Sequence, residues 1–220
     1  EVLLIFDQYV HGDIDRRTFL ARVGKFAVGT VTAAALLGAL SPRFAEAQQI
    51  APTDARLVGR YVEYDAPKGH GKTRGYLVRP AKAQGPLPLV LVVHENRGLN
   101  PHIEDVARRV ALENFVVLAP DALFPLGGYP GNEDQARTLF QTLDQPKAFE
   151  DFIAATHFLR AQPGTSDRLG VVGFCYGGAI ANRLAVAMPD LAVAVPFYGR
   201  APPLDNVGAI KAELLLHFAG

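Results

Sequence analysis

The stretch VVGFCYGG (171–178) contains the only cysteine of the 220-residue chain. A β-type apolar run leads into it, glycines stand at 173, 177 and 178, and a helical pattern leaves it. A sharp strand-to-helix turn lifts its central side chain above the edge of a sheet, and glycines beside it let neighbouring backbones approach without Cβ clashes. This is the G-x-S-x-G nucleophile elbow with sulfur in place of oxygen. The seat lies at a helix N-terminus, whose partial positive charge favours thiolate, the reactive form of cysteine. Two other readings compete. A free cysteine can be a small buried hydrophobe, but the flanking strand, helix and third glycine favour the nucleophile. A dinucleotide loop requires glycine where Cys175 stands and an acid about 20 residues on, and neither is present.

A second signal is VVHENRGLN (92–100). It follows an apolar run and leads into a capped helix, so it belongs at the same edge of the sheet as the elbow. A loop there supplies a backbone N–H to an oxyanion hole. A zinc H-E-x-x-H motif would need histidine at the position of Gly98, and His94 alone reads as a satisfied buried imidazole.

The elements that must position these residues alternate. LVGRYVEY (57–64) and TRGYLVR (73–79) read as two strands around a turn. LPLVLVVH (87–94) is continuously apolar, as suits a central strand covered on both faces. Asn100 caps a helix whose first position is Pro101, where a missing N–H costs nothing. FVVLAP (115–120) is the next strand. Helices follow near 133–142 and 146–161, and LGVVGF, AVAVPFY and ELLLHF read as three more short buried strands. Strands alternating with helices imply an α/β fold with a mostly parallel sheet and helices on both faces.

Acids and bases balance at 22 each, so no net field favours nucleic acid or an anionic membrane. The first 47 residues read as an export leader. Arg16 and Arg17 are paired, a small, apolar run follows to Leu40, and AEA (45–47) is a small-x-small cleavage pattern. This resembles a twin-arginine signal, with Asp15 and Ala21 as departures. The apolar run is too short and glycine-interrupted for a membrane span of ~20 residues. Residues 48–220 would then form the mature domain, located in the periplasm with no membrane anchor. The chain opens at Glu1 without an initiator methionine, so a preceding or processed segment is expected.

HENRGLNPHIEDVARRVA, LAPDAL, GGYPGN, GFCYGG and VPFYGR, in this order, resemble the dienelactone hydrolase family of α/β-hydrolases. The likeness runs from about Tyr61 to the last residue. It implies an α/β-hydrolase fold and hydrolysis of a lactone or ester by a Cys-His-Asp triad, with no metal or cofactor. Cys175 matches the nucleophile. Glu95 matches the glutamate that holds the resting thiol and helps ionise it when substrate arrives. The N–H groups of Tyr176 and Asn96 would form the oxyanion hole, with Arg97 and Tyr129 at the pocket rim. Where the type enzymes bind a substrate carboxylate, this chain carries Glu133 and Arg137. Arg137 would hold a carboxylate and Glu133 would repel one, so dienelactone itself is not the expected substrate.

In this fold the triad order is nucleophile, acid, histidine. By the same resemblance the acid falls about two residues beyond Gly220 and the histidine roughly 30 further on. The last strand and closing helix are expected to be missing with them. Asp205 and His217 stand in the right order, but His217 lies in an expected strand and Asp205 reads as a loop or cap residue. The expectation is a truncated ester or lactone hydrolase of low activity, working through a cysteine acyl-enzyme. The rival is a degenerate hydrolase fold kept as a binding module. A thiol redox role is weaker, because the chain has no resolving cysteine.

Overall fold

The structure is a computed structural model and describes residues 1–11, 13–26, 32–40 and 48–218. The chain divides into two compact units, Glu1–Ala47 and Gln48–Gly220.

The first unit is helical: α1 (Val2–His11), α2 (Arg16–Val23) and α3 (Ala33–Leu40). Asp15 caps α2, its carboxylate accepting the Thr18 N–H at 2.7 Å. Tyr9, Phe19, Val23 and Leu37 form a small buried cluster, with the Tyr9 and Phe19 rings 5.0 Å apart. The paired arginines thus open a helix whose Phe19 and Val23 are buried. The expected AEA cleavage pattern lies outside the described residues.

The second unit is built on a seven-stranded sheet. Its elements are β1 (Leu57–Ala66), β2 (Gly71–Pro80), β3 (Leu87–Val93), α4 (Pro101–Leu112), β4 (Val116–Pro120), α5 (Glu133–Gln141), α6 (Gln145–Arg160), β5 (Thr165–Phe174), α7 (Tyr176–Ala187), β6 (Val193–Phe197), α8 (Leu204–Val207) and β7 (Glu213–Leu214). The strand order is β1-β2-β4-β3-β5-β6-β7. β1 and β2 form an antiparallel hairpin and β2 runs antiparallel to β4, while the other pairs are parallel.

β3 shows why its apolar run is continuous. Leu89, Leu91 and Val93 point into a core with Phe152, Leu159, Ile180 and Leu184 from α6 and α7. Val92, on the opposite face, joins Ile103, Ala107 and Ala111 of α4. A strand covered on both faces has no solvent side to make polar. α4 starts as the sequence dictates: the Asn100 side chain accepts the Ile103 N–H at 3.1 Å and Pro101 takes the first helical position. On the α4 side, an open apolar groove of about 620 Å³ crosses β3, β5 and β6, lined by Val90, Phe115, Val172, Val193 and Val195.

ELLLHF corrects one expectation. β7 covers only Glu213–Leu214, followed by an isolated bridge from His217 to Phe197. Leu214, Leu215, Leu216 and Phe218 are exposed. Apolar, strand-prone residues predict pairing, but burial also requires something on each face, and β7 is the edge of the sheet.

Candidate active site

The elbow forms where β5 ends and α7 begins. Cys175 sits between them at φ +52 and ψ −110, in the positive-φ region that non-glycine residues seldom occupy. Its N–H donates to Phe197 O at 3.0 Å, which ties the bend to β6, and its carbonyl accepts the Ala179 N–H at 3.1 Å. Such strain persists only where the surroundings over-determine it. The glycines provide those surroundings. A Cβ on Gly177 would strike the Val93 carbonyl and lie 2.7 Å from that of His94; one on Gly178 would lie 2.6 Å from Phe197 O.

The thiol is partly buried, and burial is the main force raising its pKa. The backbone N–H of Tyr176, the first residue of α7, opposes that rise. Glu95 adds to it and Arg97 subtracts from it. These are three of the expected site residues, brought together from the loop after β3 and the start of α7. Asn96 lies between Glu95 and Arg97, and its side-chain oxygen accepts from the Arg97 guanidinium.

His94 is fully buried beneath this loop. Nδ1 lies 2.6 Å from Glu95 O, and Nε2 accepts the Ala122 N–H at 3.1 Å. An acceptor at one nitrogen and a donor at the other fix the neutral tautomer with its proton on Nδ1. Burial correspondingly lowers its pKa. His94 is therefore a structural pin between two loops of the site.

The rim is built around Glu133. Its Oε1 accepts the Tyr129 hydroxyl at 2.7 Å and the Asn100 amide at 3.4 Å; its Oε2 lies 3.6 Å from Arg97 Nε. Arg97 and Tyr129 thus meet at one carboxylate. Arg137 is buried in α5 with a long ion pair to Asp134 at 4.0 Å.

Tyr198 is a site residue that the sequence reading did not assign. It follows β6 at φ +41, and its hydroxyl donates to Glu95 Oε1 at 3.4 Å. Burial and the neighbouring Glu95 and Cys175 charges push its pKa up to about 12. Its signal lay within VPFYGR, a motif with no chemistry of its own until β6 is registered against β5. His217 stacks on Phe197 at 4.2 Å between ring centres. Among the described residues no histidine is hydrogen-bonded to the Cys175 thiol, His94 and His217 being engaged as above, and these residues contain no group of three or more candidate metal ligands.

A cysteine at a strained strand-to-helix bend, on a mostly parallel sheet flanked by helices, defines an α/β-hydrolase fold. The comparisons then fix the family. A dienelactone hydrolase family model matches residues 73–220, and a model described as YqhI-like matches residues 1–26. YghX of Escherichia coli (strain K12), named as a candidate hydrolase fragment, is 56% identical over 114 residues, covering 52% of this chain and 97% of its own. A candidate carboxymethylenebutenolidase of Yersinia pestis is 31% identical over 128 residues, 57% of this chain and 48% of the relative. The solved structure m3DLH superposes with a TM-score of 0.63 at 30% identity, covering 74% of this chain and 68% of that one. The chain belongs to the dienelactone hydrolase family. It spans about half the length of the carboxymethylenebutenolidases it matches, 48% for Yersinia pestis and 47% for Escherichia coli.

Proposed function

We propose that this protein is a carboxylic ester or lactone hydrolase in which Cys175 forms an acyl-enzyme. The observation that carries the reading is the conformation of Cys175 at φ +52, held between β5 and α7 with its own N–H tied to Phe197 O at 3.0 Å. Chemistry follows from that geometry. The thiolate attacks the carbonyl carbon, a C–S bond forms, and the carbonyl oxygen takes up negative charge. The Tyr176 and Asn96 N–H groups stabilise that oxygen. The C–O bond then breaks, the alcohol leaves with a proton, and water hydrolyses the thioester to the free acid. Glu95 holds the thiol protonated at rest, which protects it until an ester displaces the carboxylate.

Activation requires a base, and removing a triad member costs on the order of 10⁴ in kcat or more. Because none of the described histidines is hydrogen-bonded to Cys175, we expect a polypeptide limited to these 220 residues to acylate slowly and turn over poorly. The test is incubation with p-nitrophenyl acetate and mass analysis of the Cys175 peptide. A thioester acetyl on Cys175, absent from Cys175→Ala, is expected; acetylation confined to other residues would sink the reading.

The rival is a hydrolase fold used for binding, with no chemistry at Cys175. The raised thiol pKa is the observation in its favour. It predicts no acetylation of Cys175 even at high ester concentration and alkaline pH.

We also propose that residues 1–47 direct export through a twin-arginine route to the periplasm. Support comes from Arg16, Arg17 and the small, apolar run to Leu40. Fusion of residues 1–47 to a reporter that works only after export tests this. Signal that survives Arg16→Lys with Arg17→Lys would count against it.

A further inference from the structure

One anion and one cation act on Cys175, and a second anion faces that cation. Glu95 and Arg97 both act on the thiol, one raising and one lowering its pKa. Arg97 in turn faces Glu133, with Nε 3.6 Å from Oε2. Glu133 is not a passing surface charge. It opens α5, accepts a 2.7 Å bond from Tyr129, and is reached by the Asn100 amide, whose residue caps α4 and is itself buried. The loop between β3 and α4 and the nearby Tyr129 therefore hold its carboxylate beside the Arg97 guanidinium, which favours the thiolate. Arg137 is buried in α5 and pairs with Asp134.

We propose that Glu133 sets the substrate class of this site: by occupying Arg97 beside Cys175 it selects uncharged esters and lactones over those that carry a carboxylate in the acyl part. The proposal rests on Cys175 being the reacting nucleophile. Its physical content is simple. An acyl group seated on Cys175 lies near Glu95, Arg97 and Glu133, whose formal charges leave one net negative. A carboxylate there gains no free cation, whereas a neutral acyl group incurs no repulsion. Partial burial makes such charges count for more than at an open surface.

Iodoacetamide and iodoacetate test this on the 220-residue chain without requiring turnover. Both alkylate thiolate, have nearly the same shape, and differ by one negative charge. The ratio of their second-order rate constants at Cys175 is divided by the ratio for N-acetylcysteine amide. We expect a normalised preference for iodoacetamide of about tenfold or more. Glu133→Gln should lower that preference by roughly three- to tenfold, and Arg97→Gln should raise it by a similar factor. Unfolding drives the ratio to that of a free thiol, so an unfolded variant cannot mimic the Arg97→Gln increase. A normalised ratio near one in the folded wild-type chain would overturn the proposal, as would ratios in both variants equal to the wild-type value. If Cys175 is inert to both reagents in the folded chain and stays inert in Glu95→Gln, where the restraining charge is gone, the nucleophile reading falls with it. If it reacts at the free-thiol ratio, charge selection alone falls.

Discussion

The Tyr198 hydroxyl donates to Glu95 Oε1 at 3.4 Å, across a gap of 103 residues in sequence. Glu95 therefore has a hydroxyl donor from the segment after β6, and its charge opposes ionisation of the Cys175 thiol. Glu95→Gln removes the opposing charge, so alkylation of Cys175 by iodoacetamide at neutral pH should accelerate roughly three- to tenfold. Acetylation by p-nitrophenyl acetate should not gain in proportion, because Glu95 is also proposed to help ionise the thiol when an ester arrives. Parallel rate measurements check both. Equal gains with the two reagents would show that Glu95 only restrains the thiol.

Gly177 is hemmed in by backbone at the elbow. An added Cβ would meet the carbonyls of Val93 and His94, which cannot rotate away. Gly177→Ala should destabilise the second unit by about 3 kcal/mol or more. Gly208 supplies the control, because nothing lies within 4 Å of its Cβ position and its φ of −61 suits any residue. Gly208→Ala should change stability by no more than about 0.5 kcal/mol. Urea denaturation of the two variants reads the contrast.

The elbow and the start of α4 were legible because their signals are local. Three glycines within six residues, or an asparagine followed by proline, state their backbone requirement without reference to the rest of the chain. The central strands were legible because β3 is covered on both faces and so reads as uninterrupted apolar residues. Tyr198 was not legible, since its contact with Glu95 exists only once β6 lies beside β5. Glu133 was noticed as a charge, but its role depends on Arg97 and Asn100, from the distant loop between β3 and α4, meeting it beside Tyr129. The apolar residues of β7 misled, because hydrophobicity records a tendency toward burial and cannot say what covers a strand.

His94 makes stability pH-dependent on the acid side. Burial lowers its pKa in the folded chain, so over the window between the folded and unfolded values the unfolded chain binds one more proton. Its contribution is fully present above the unfolded pKa of about 6.5 and is lost as pH falls toward the folded value. The geometry gives the reason: a proton on Nε2 would face the Ala122 N–H that now donates to it. Urea unfolding at successive pH values should show stability falling below about pH 6.5, by up to about 1.4 kcal/mol per pH unit from this group. His94→Gln should be less stable at neutral pH and should lack that part of the slope. A variant with the wild-type slope would assign the acid sensitivity elsewhere.

Arg74 and Asp121 join the hairpin to the loop after β4. Arg74 Nη2 lies 2.8 Å from Asp121 Oδ2, and Asp121 is almost fully buried. The guanidinium also lies over the Tyr61 and Phe124 rings at 4.9 and 5.0 Å. Removing one partner of such a pair leaves a charge in a poorly solvated place, whereas removing both charges together does not. The Leu123 N–H, 3.2 Å from Asp121 Oδ1, would remain to hold part of the carboxylate. Arg74→Met should therefore cost about 2–4 kcal/mol, somewhat below the loss for a charge stranded without any donor. Arg74→Met with Asp121→Asn should recover at least about 1 kcal/mol of that loss, because the asparagine keeps the Leu123 bond without a net charge. Lysine should restore only part of the loss, since an ammonium can neutralise Asp121 but cannot lie flat between two rings. Denaturation of the single and double variants measures the coupling directly. Additive losses would mean that the buried carboxylate is stabilised by groups other than Arg74.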